Sequence, residues 1–380
     1  MSAAMLPKDR VAAAFRHEPT DRVPIYQAGF SSRAASFVLG REAWVGGGIQ
    51  QFREARALWE GGSAHDDFLR RSLADACELC EKLDLDLVRT GYWRKNERPA
   101  RRIDENTFEY AGGEVWRFDP PTETYGAIAG PAWSGHPPDL RAEAEREMRN
   151  AEAYTPTESD FAAERQALDR FGAHRAVPAG GNGIAVPRDA WWLEATILSP
   201  ELVGMMLDAQ ALSAAKCVKV LAGMGLPYCM GGGDFAGAAG PFYAPAFFRS
   251  AMVPRLKRIS DACHAVGSWH LFASDGDLWP VADDLFGRSG VDGYYEVDGS
   301  FMPLRRLREA FPRLTLLGGI RSETLHVGTE QQVREETRAA VETAKEIRGC
   351  IIGCSNQIVS PTPERNFWAM METLERYRTV

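Results

Sequence analysis

Apolar positions along the chain alternate between a helical spacing and short continuous runs. A spacing of three to four residues predicts helices over 8–17, 30–44, 66–83, 140–150, 162–171, 191–197 and 201–224, and again over 245–265, 279–286, 304–310, 330–347 and 363–377. Between them lie apolar runs of strand length at 23–26, 85–89, 176–179, 228–230, 269–273, 293–297, 314–317 and 350–353. Residues 98–118 alternate apolar and polar positions around Gly112-Gly113, which reads as a β-hairpin. Residues 133–160 are Pro-rich and charged, a surface excursion. Glycine clusters punctuate the strand ends at Gly180-Gly181-Asn182-Gly183, Gly231-Gly232-Gly233 and Gly318-Gly319.

The order is strand then helix, repeated about eight times, which predicts a parallel sheet with helices packed on it. A single distorted (β/α)8 TIM-type barrel spanning residues 1–380 fits best, with an N-terminal helical segment over 1–22 and the hairpin and excursion inserted at 98–160. An open doubly wound sheet is the alternative. In either architecture ligands bind beyond the carboxyl ends of the strands, so polar residues there are the candidates for chemistry. The stretch 264–298 concentrates them. It runs helix, strand, Ser274-Asp275-Gly276-Asp277, helix, strand, and then Glu296 and Asp298.

The 380 residues carry a net charge of -8, and phosphate binding wants a basic face, so nucleic acid is not expected as a partner. No apolar run reaches the roughly 20 residues of a membrane span, and the N-terminus lacks a signal-peptide pattern. Seven cysteines, a low and odd number, fit reduced thiols and a cytoplasmic protein.

Among the strand-end acids, Asp275 reads as the leading catalytic candidate, with Asp234 and Glu296 beside it. Carboxylates aimed at one pocket push one pKa up and make a general acid. Asp277 has a second reading as the cap of the following helix, and Glu296 as the ion-pair partner of Arg305 or Arg321. Arg321 follows a strand and suits a ligand carboxylate or phosphate, or a structural ion pair. Asn182 lies in a glycine loop that lacks the residues of a phosphate loop. Trp269 and other tryptophans near strand ends can wall an apolar pocket, or simply belong to the core. His270 sits on an apolar strand, where a satisfied core residue is the commoner outcome. Cys77 and Cys80 form an isolated C-x-x-C on a helix, and Cys354 ends the last strand.

The segments RVAAAFRHEPTDRVPIY, ASDGD, GVDGYYEVDG, LLGGIRSETLHVGTEQQVREE and GCIIGCSNQIVSPTPERNFWAMME, in this order and spacing, resemble the uroporphyrinogen decarboxylase superfamily. The resemblance implies a distorted TIM barrel with its pocket at the C-terminal face. Uroporphyrinogen decarboxylases carry an arginine-bearing RQAGRY-like turn after the first strand. Here Tyr26-Gln27-Ala28-Gly29-Phe30 stands in its place, which makes Tyr26 and Gln27 substrate-binding candidates and leaves no arginine clamp for a polycarboxylate. The essential aspartate of those enzymes falls near Arg89-Thr90-Gly91, where there is no acid. Zinc methyltransferases of the superfamily hold the metal with an H-x-C turn and a later cysteine. Here Ala273-Ser274-Asp275 and Asn356 occupy those places, and a rearranged zinc site would use His270 and Cys354 with Asp275 or Glu296. The resemblance thus implies methyl transfer from a small methylated or methoxylated compound to a corrinoid protein or other acceptor. A lyase acting on a small carboxylated substrate, with Arg321 holding the carboxylate, and a silent tetrapyrrole- or corrinoid-binding subunit are the alternatives. The expected partners are a small substrate, a corrinoid protein and a second copy of the chain.

Overall fold

The computed structural model describes residues 4–130 and 138–380. Six parallel strands form one sheet in the order Cys350–Cys354, Thr315–Ile320, Gly293–Val297, Trp269–Ala273, Tyr228–Gly232 and Pro178–Ala179. Each strand pairs with the next in sequence, with helices in the crossovers, the arrangement of an α/β fold. Alternation sorts the side chains. Leu271, Met230, Leu317 and Ile351 meet on the concave face with Tyr26, Leu87 and Phe15. Cys229, Phe272, Leu316, Ile352 and Cys354 face the helices, where the larger apolar core lies.

The runs at 23–26 and 85–88 make isolated bridges instead of regular strands. Pro24 has no N–H to donate to a ladder. The remaining backbone groups still pair. Tyr26 N donates to Ile352 O (3.1 Å) and Ile352 N to Pro24 O (2.9 Å). Asp86 N donates to Ile25 O (2.9 Å), Val88 N to Ala176 O (2.9 Å) and Ala176 N to Asp86 O (3.1 Å). These bonds run from the Cys350–Cys354 edge of the sheet to the Pro178–Ala179 edge. The buried Asp86 carboxylate accepts from Ile25 N, Arg10 and Arg378, tying the first helix, Pro7–Phe15, to the chain's end.

The expected hairpin is a four-stranded antiparallel meander within residues 101–129. It has its own apolar cluster, Phe108, Tyr110, Phe118 and Tyr125, packed on Phe52 and Ala55. These two lie on the helix Gly48–Glu60, which the sequence reading passed over at the Gly46–Gly48 break. Within the expected excursion the helix Leu140–Ala153 is present, and residues 131–137 lie outside the described residues. The helix expected at 279–286 is a 3-10 turn, Trp279–Val281, followed by the wider turns of Asp283–Arg288. Among the described residues no helix is long and apolar enough to cross a membrane.

Candidate active site

Asp234, Asp275, Asp298 and Asn356 each follow the carboxyl end of a different parallel strand, and Glu296 lies near the end of one. They belong to one neighbourhood. Asp275 N donates to Asp234 Oδ1 at 3.3 Å, and Asn356 Nδ2 contacts both Asp275 oxygens at 3.0 and 3.1 Å. Ser355 Oγ donates to Asp298 Oδ2 at 3.1 Å, and the exposed Arg188 lies 3.6 Å from Asp234. Burial raises the Asp275 pKa above the usual carboxylate range, and the charge of Asp234 adds to it. Asp277 closes a turn: its Oδ1 accepts from Trp279 N, two residues on, at 3.0 Å, and Leu278 holds the cap position.

Glu296 would face the helices by strict alternation, because Tyr295 faces inward. It adopts a left-handed backbone, φ +66°, where the pairing with Thr315–Ile320 shifts register between Tyr295 and Val297. Such a bulge re-aims a side chain. Glu296 N donates to the hydroxyl of the inward-facing Tyr26 at 3.3 Å. Burial pushes the Glu296 carboxyl up to about 7; Arg89 opposes the shift, and Asp275 and Asp234 add to it. A carboxyl poised there holds or releases a proton at neutral pH. The three acids singled out from the sequence therefore share one electrostatic neighbourhood.

A cavity of about 650 Å³ opens at the strand ends; Asp234, Asp275 and Glu296 are not among its lining residues, but Tyr295, next to Glu296, and Gly232, two before Asp234, are. Arg89, Tyr92, Trp93, Glu164, Gly180, Gly181, Gly183, Gln210, Met230 and Tyr295 are among the residues that line it. Its glycines let two strand ends touch. A Cβ on Gly183 would strike Gly232 O, and one on Gly231 would strike Asn182 O. Sequence reasoning missed Arg89, although it follows an apolar run. Only the absence of an acid was read at that place.

Other candidates lie elsewhere. His270 faces outward, is fully buried and pairs through Nδ1 with Ser260 Oγ at 2.8 Å; burial holds its pKa down at about 3. Cys354 also faces the helices, and burial pushes its thiol up to about 12. The rearranged zinc site is therefore not formed, because strand alternation turns both residues away from Asp275 and Glu296. Among the described residues no group of three or more His, Cys, Asp and Glu side chains has metal-binding geometry. Ala273, Asp275 and Asn356, at the zinc-ligand places, do not make a soft ligand set.

Gln27 binds structure instead of a ligand, accepting from Cys354 N at 3.0 Å through Oε1. Arg321 is clamped by Glu336, with Nη2 to Oε2 at 2.9 Å, so it does not serve as the expected carboxylate clamp. Trp269 starts its strand and stacks on Tyr228, 5.1 Å between centroids, at the end opposite the acids, so it does not wall the pocket. Asn182 is fully buried. Its Nδ2 donates to Ala179 O and Gly180 O and shapes the glycine loop. Tyr26 forms part of the floor under Glu296, and Asn356 positions Asp275.

A profile of the uroporphyrinogen decarboxylase (URO-D) family matches residues 191–377. No protein among the curated sequences matches the chain. Among solved structures, a methyltransferase from Methanosarcina mazei superposes with a TM-score of 0.65 at 17% identity, covering 98% of this chain and 99% of that one. A protein described as a vitamin-B12-independent methionine synthase from Listeria monocytogenes superposes with a TM-score of 0.47 at 15% identity, over 94% and 98% of the two chains. The matched segment carries Asp234, Asp275, Glu296 and Asn356. With the parallel α/β sheet that presents them, this makes residues 191–377 a divergent segment of the uroporphyrinogen decarboxylase type.

Proposed function

We propose that the chain is a cytoplasmic methyltransferase built on a closed eight-stranded barrel, with residues 23–26 and 85–88 completing the ring. It moves a methyl group from a small methylated or methoxylated compound to a corrinoid on a partner protein. The observation that carries the reading is Glu296, a carboxyl raised to about 7 beside Asp275 and Asp234 at the strand ends. A shared fold carries no chemistry by itself; this acid does. As the bond from heteroatom to methyl breaks, the acceptor's electron pair forms the new bond to carbon. Glu296 gives its proton to the departing heteroatom and is left as carboxylate, to be reprotonated by solvent. Asp275, held by Asn356, contributes the nearby charge that keeps Glu296 protonated until that moment. A thiol acceptor would reach this site without the zinc that activates it in relatives, because the ligand positions hold Ala273, Asp275 and Asn356. An acceptor that is strongly nucleophilic on its own suits the site better.

Methylcobalamin formation from cob(I)alamin and a panel of methylated donors, followed by absorbance, tests the reading. Turnover should fall as pH rises above about 7, and Glu296→Gln should lower kcat by about 10²-fold with little change in KM. Full activity of Glu296→Gln would remove the acid from the mechanism. A second reading rests on Arg89 in the cavity wall. A carboxy-lyase would hold its substrate there and protonate carbon from Glu296, and release of carbon dioxide without methyl transfer would favour it.

A further inference from the structure

We infer that Arg89 anchors the carboxylate of a small aromatic monocarboxylic acid in the cavity beside Glu296, so that the methyl donor is an aromatic acid bearing a methoxy group. The inference deepens the methyl-transfer reading and rests on it for the word donor; the binding claim stands on geometry. Arg89 is half-buried and lines the cavity. Its Nη1 donates to Ala28 O at 2.7 Å, and its guanidinium lies 5.4 Å from the Trp93 ring centroid. Among the described residues no carboxylate pairs with it, whereas Arg10, Arg321 and Arg378 all have acidic partners. A guanidinium offers five N–H donors in a planar fork that fits a carboxylate, and the protein takes one of Arg89's, through Nη1.

The acids on the same wall do not neutralise this preference. Asp160 Oδ2 is taken by Thr157, accepting from its N at 2.7 Å and its Oγ1 at 3.0 Å. Glu164 is held toward its protonated form by burial. The other lining groups explain the aromatic ring. Tyr92, Trp93, Phe161 and Tyr295 give π-faces, and 650 Å³ accommodates a substituted benzene ring. A single free guanidinium suits a monoanion, and a more highly charged anion would also meet the negative charges of Asp234 and Asp275, which the exposed Arg188, 3.6 Å from Asp234, offsets only in part.

Calorimetric titration of the full chain with 4-methoxybenzoate, 4-methoxybenzamide and tetramethylammonium chloride tests this. The acid should bind about 10- to 100-fold more tightly than the isosteric amide, the scale of a charge-assisted bidentate contact. Arg89→Gln should abolish that preference, and Arg89→Lys should keep part of it. Both replacements can still donate to Ala28 O, and a circular dichroism melt shows that each variant is folded. No measurable binding of the acid, equal binding of acid and amide, a preference that survives Arg89→Gln, or tighter binding of tetramethylammonium would each overturn the inference. Acid binding through Arg89 without methyl transfer would leave the inference standing and remove the proposed function. Methyl transfer from neutral donors with no acid preference would do the reverse.

Discussion

At the scale of the residue, Glu296 couples chemistry to stability. Its folded pKa, about 7, lies above the ordinary value of 4.5, so the folded chain binds a proton more tightly than the unfolded chain does. That contribution is complete below about pH 4.5 and is lost as pH rises through 7. Glu296→Gln keeps the shape and cannot ionise. Its melting temperature should gain on the parent by a few degrees between pH 5 and pH 8, a gap that differential scanning calorimetry at matched ionic strength reads directly. A constant gap would mean that Glu296 titrates like a solvated carboxylate.

Asp275→Asn should behave differently. Removing the charge beside Asp234 should leave stability equal or higher, while kcat at neutral pH falls because Glu296 loses one of the neighbours that keep it protonated. Lost stability with surviving turnover would make Asp275 a turn residue. The acids after strands were legible in the sequence because a polar residue closing an apolar run is conspicuous. Arg89 was not, because an arginine after a strand is commonplace and only the surrounding cavity shows that it lacks a partner.

At the scale of the element, most helices and the strands at Trp269–Ala273 and Gly293–Val297 were readable from spacing alone, since burial on one face imposes the period. What spacing hides is the point where a period is broken on purpose. The bulge at Glu296 is matched across the sheet by Gly318, whose φ is +127° and whose added Cβ would lie 2.7 Å from Val297 N. Alternation read from sequence assigns Glu296 to the helix side, and only the left-handed backbone returns it to the site.

Gly318→Ala should therefore cost about 1–3 kcal/mol in denaturant melts and displace the bulge. It should also move the alkaline limb of the pH–rate profile, since Glu296 would leave its buried place. Gly40→Ala is the control. Its φ of +69° carries strain, but nothing lies within 4 Å of the added Cβ, so it should cost about 1 kcal/mol or less and leave the profile unmoved. Equal effects from the two would show that the bulge does not set Glu296. The irregular run at 23–26 escaped the sequence for a related reason: Pro24 removes a ladder donor that the apolar pattern does not register.

At the scale of the whole molecule, the question is what holds the sheet's two edges together, since its site draws on strand ends all the way across. The two irregular segments supply few ladder bonds, so the buried Asp86 carboxylate does the joining. It accepts from Ile25 N at 2.9 Å and from both Arg10 and Arg378, which also pair with Asp21 at 2.7 Å and Asp84 at 2.6 Å. Asp86→Asn keeps an acceptor for Ile25 N but strips the counter-charge from two buried guanidiniums. Breaking a buried network from one side costs on the order of 3–5 kcal/mol; the remaining partners of each arginine hold this case toward the lower figure. The loss should be local before it is global. Hydrogen exchange should show the amides of Tyr26, Leu87, Val88 and Ile352 losing protection first, while those of Tyr228–Gly232 and Trp269–Ala273 keep theirs under native conditions. Because Arg89 follows the second irregular segment and Tyr26 ends the first, the same opening should weaken ligand binding more than it changes the pH dependence set by Glu296. Uniform loss of protection over the whole sheet would mean that the edges are held by the helices outside, and that Asp86 contributes only to overall stability.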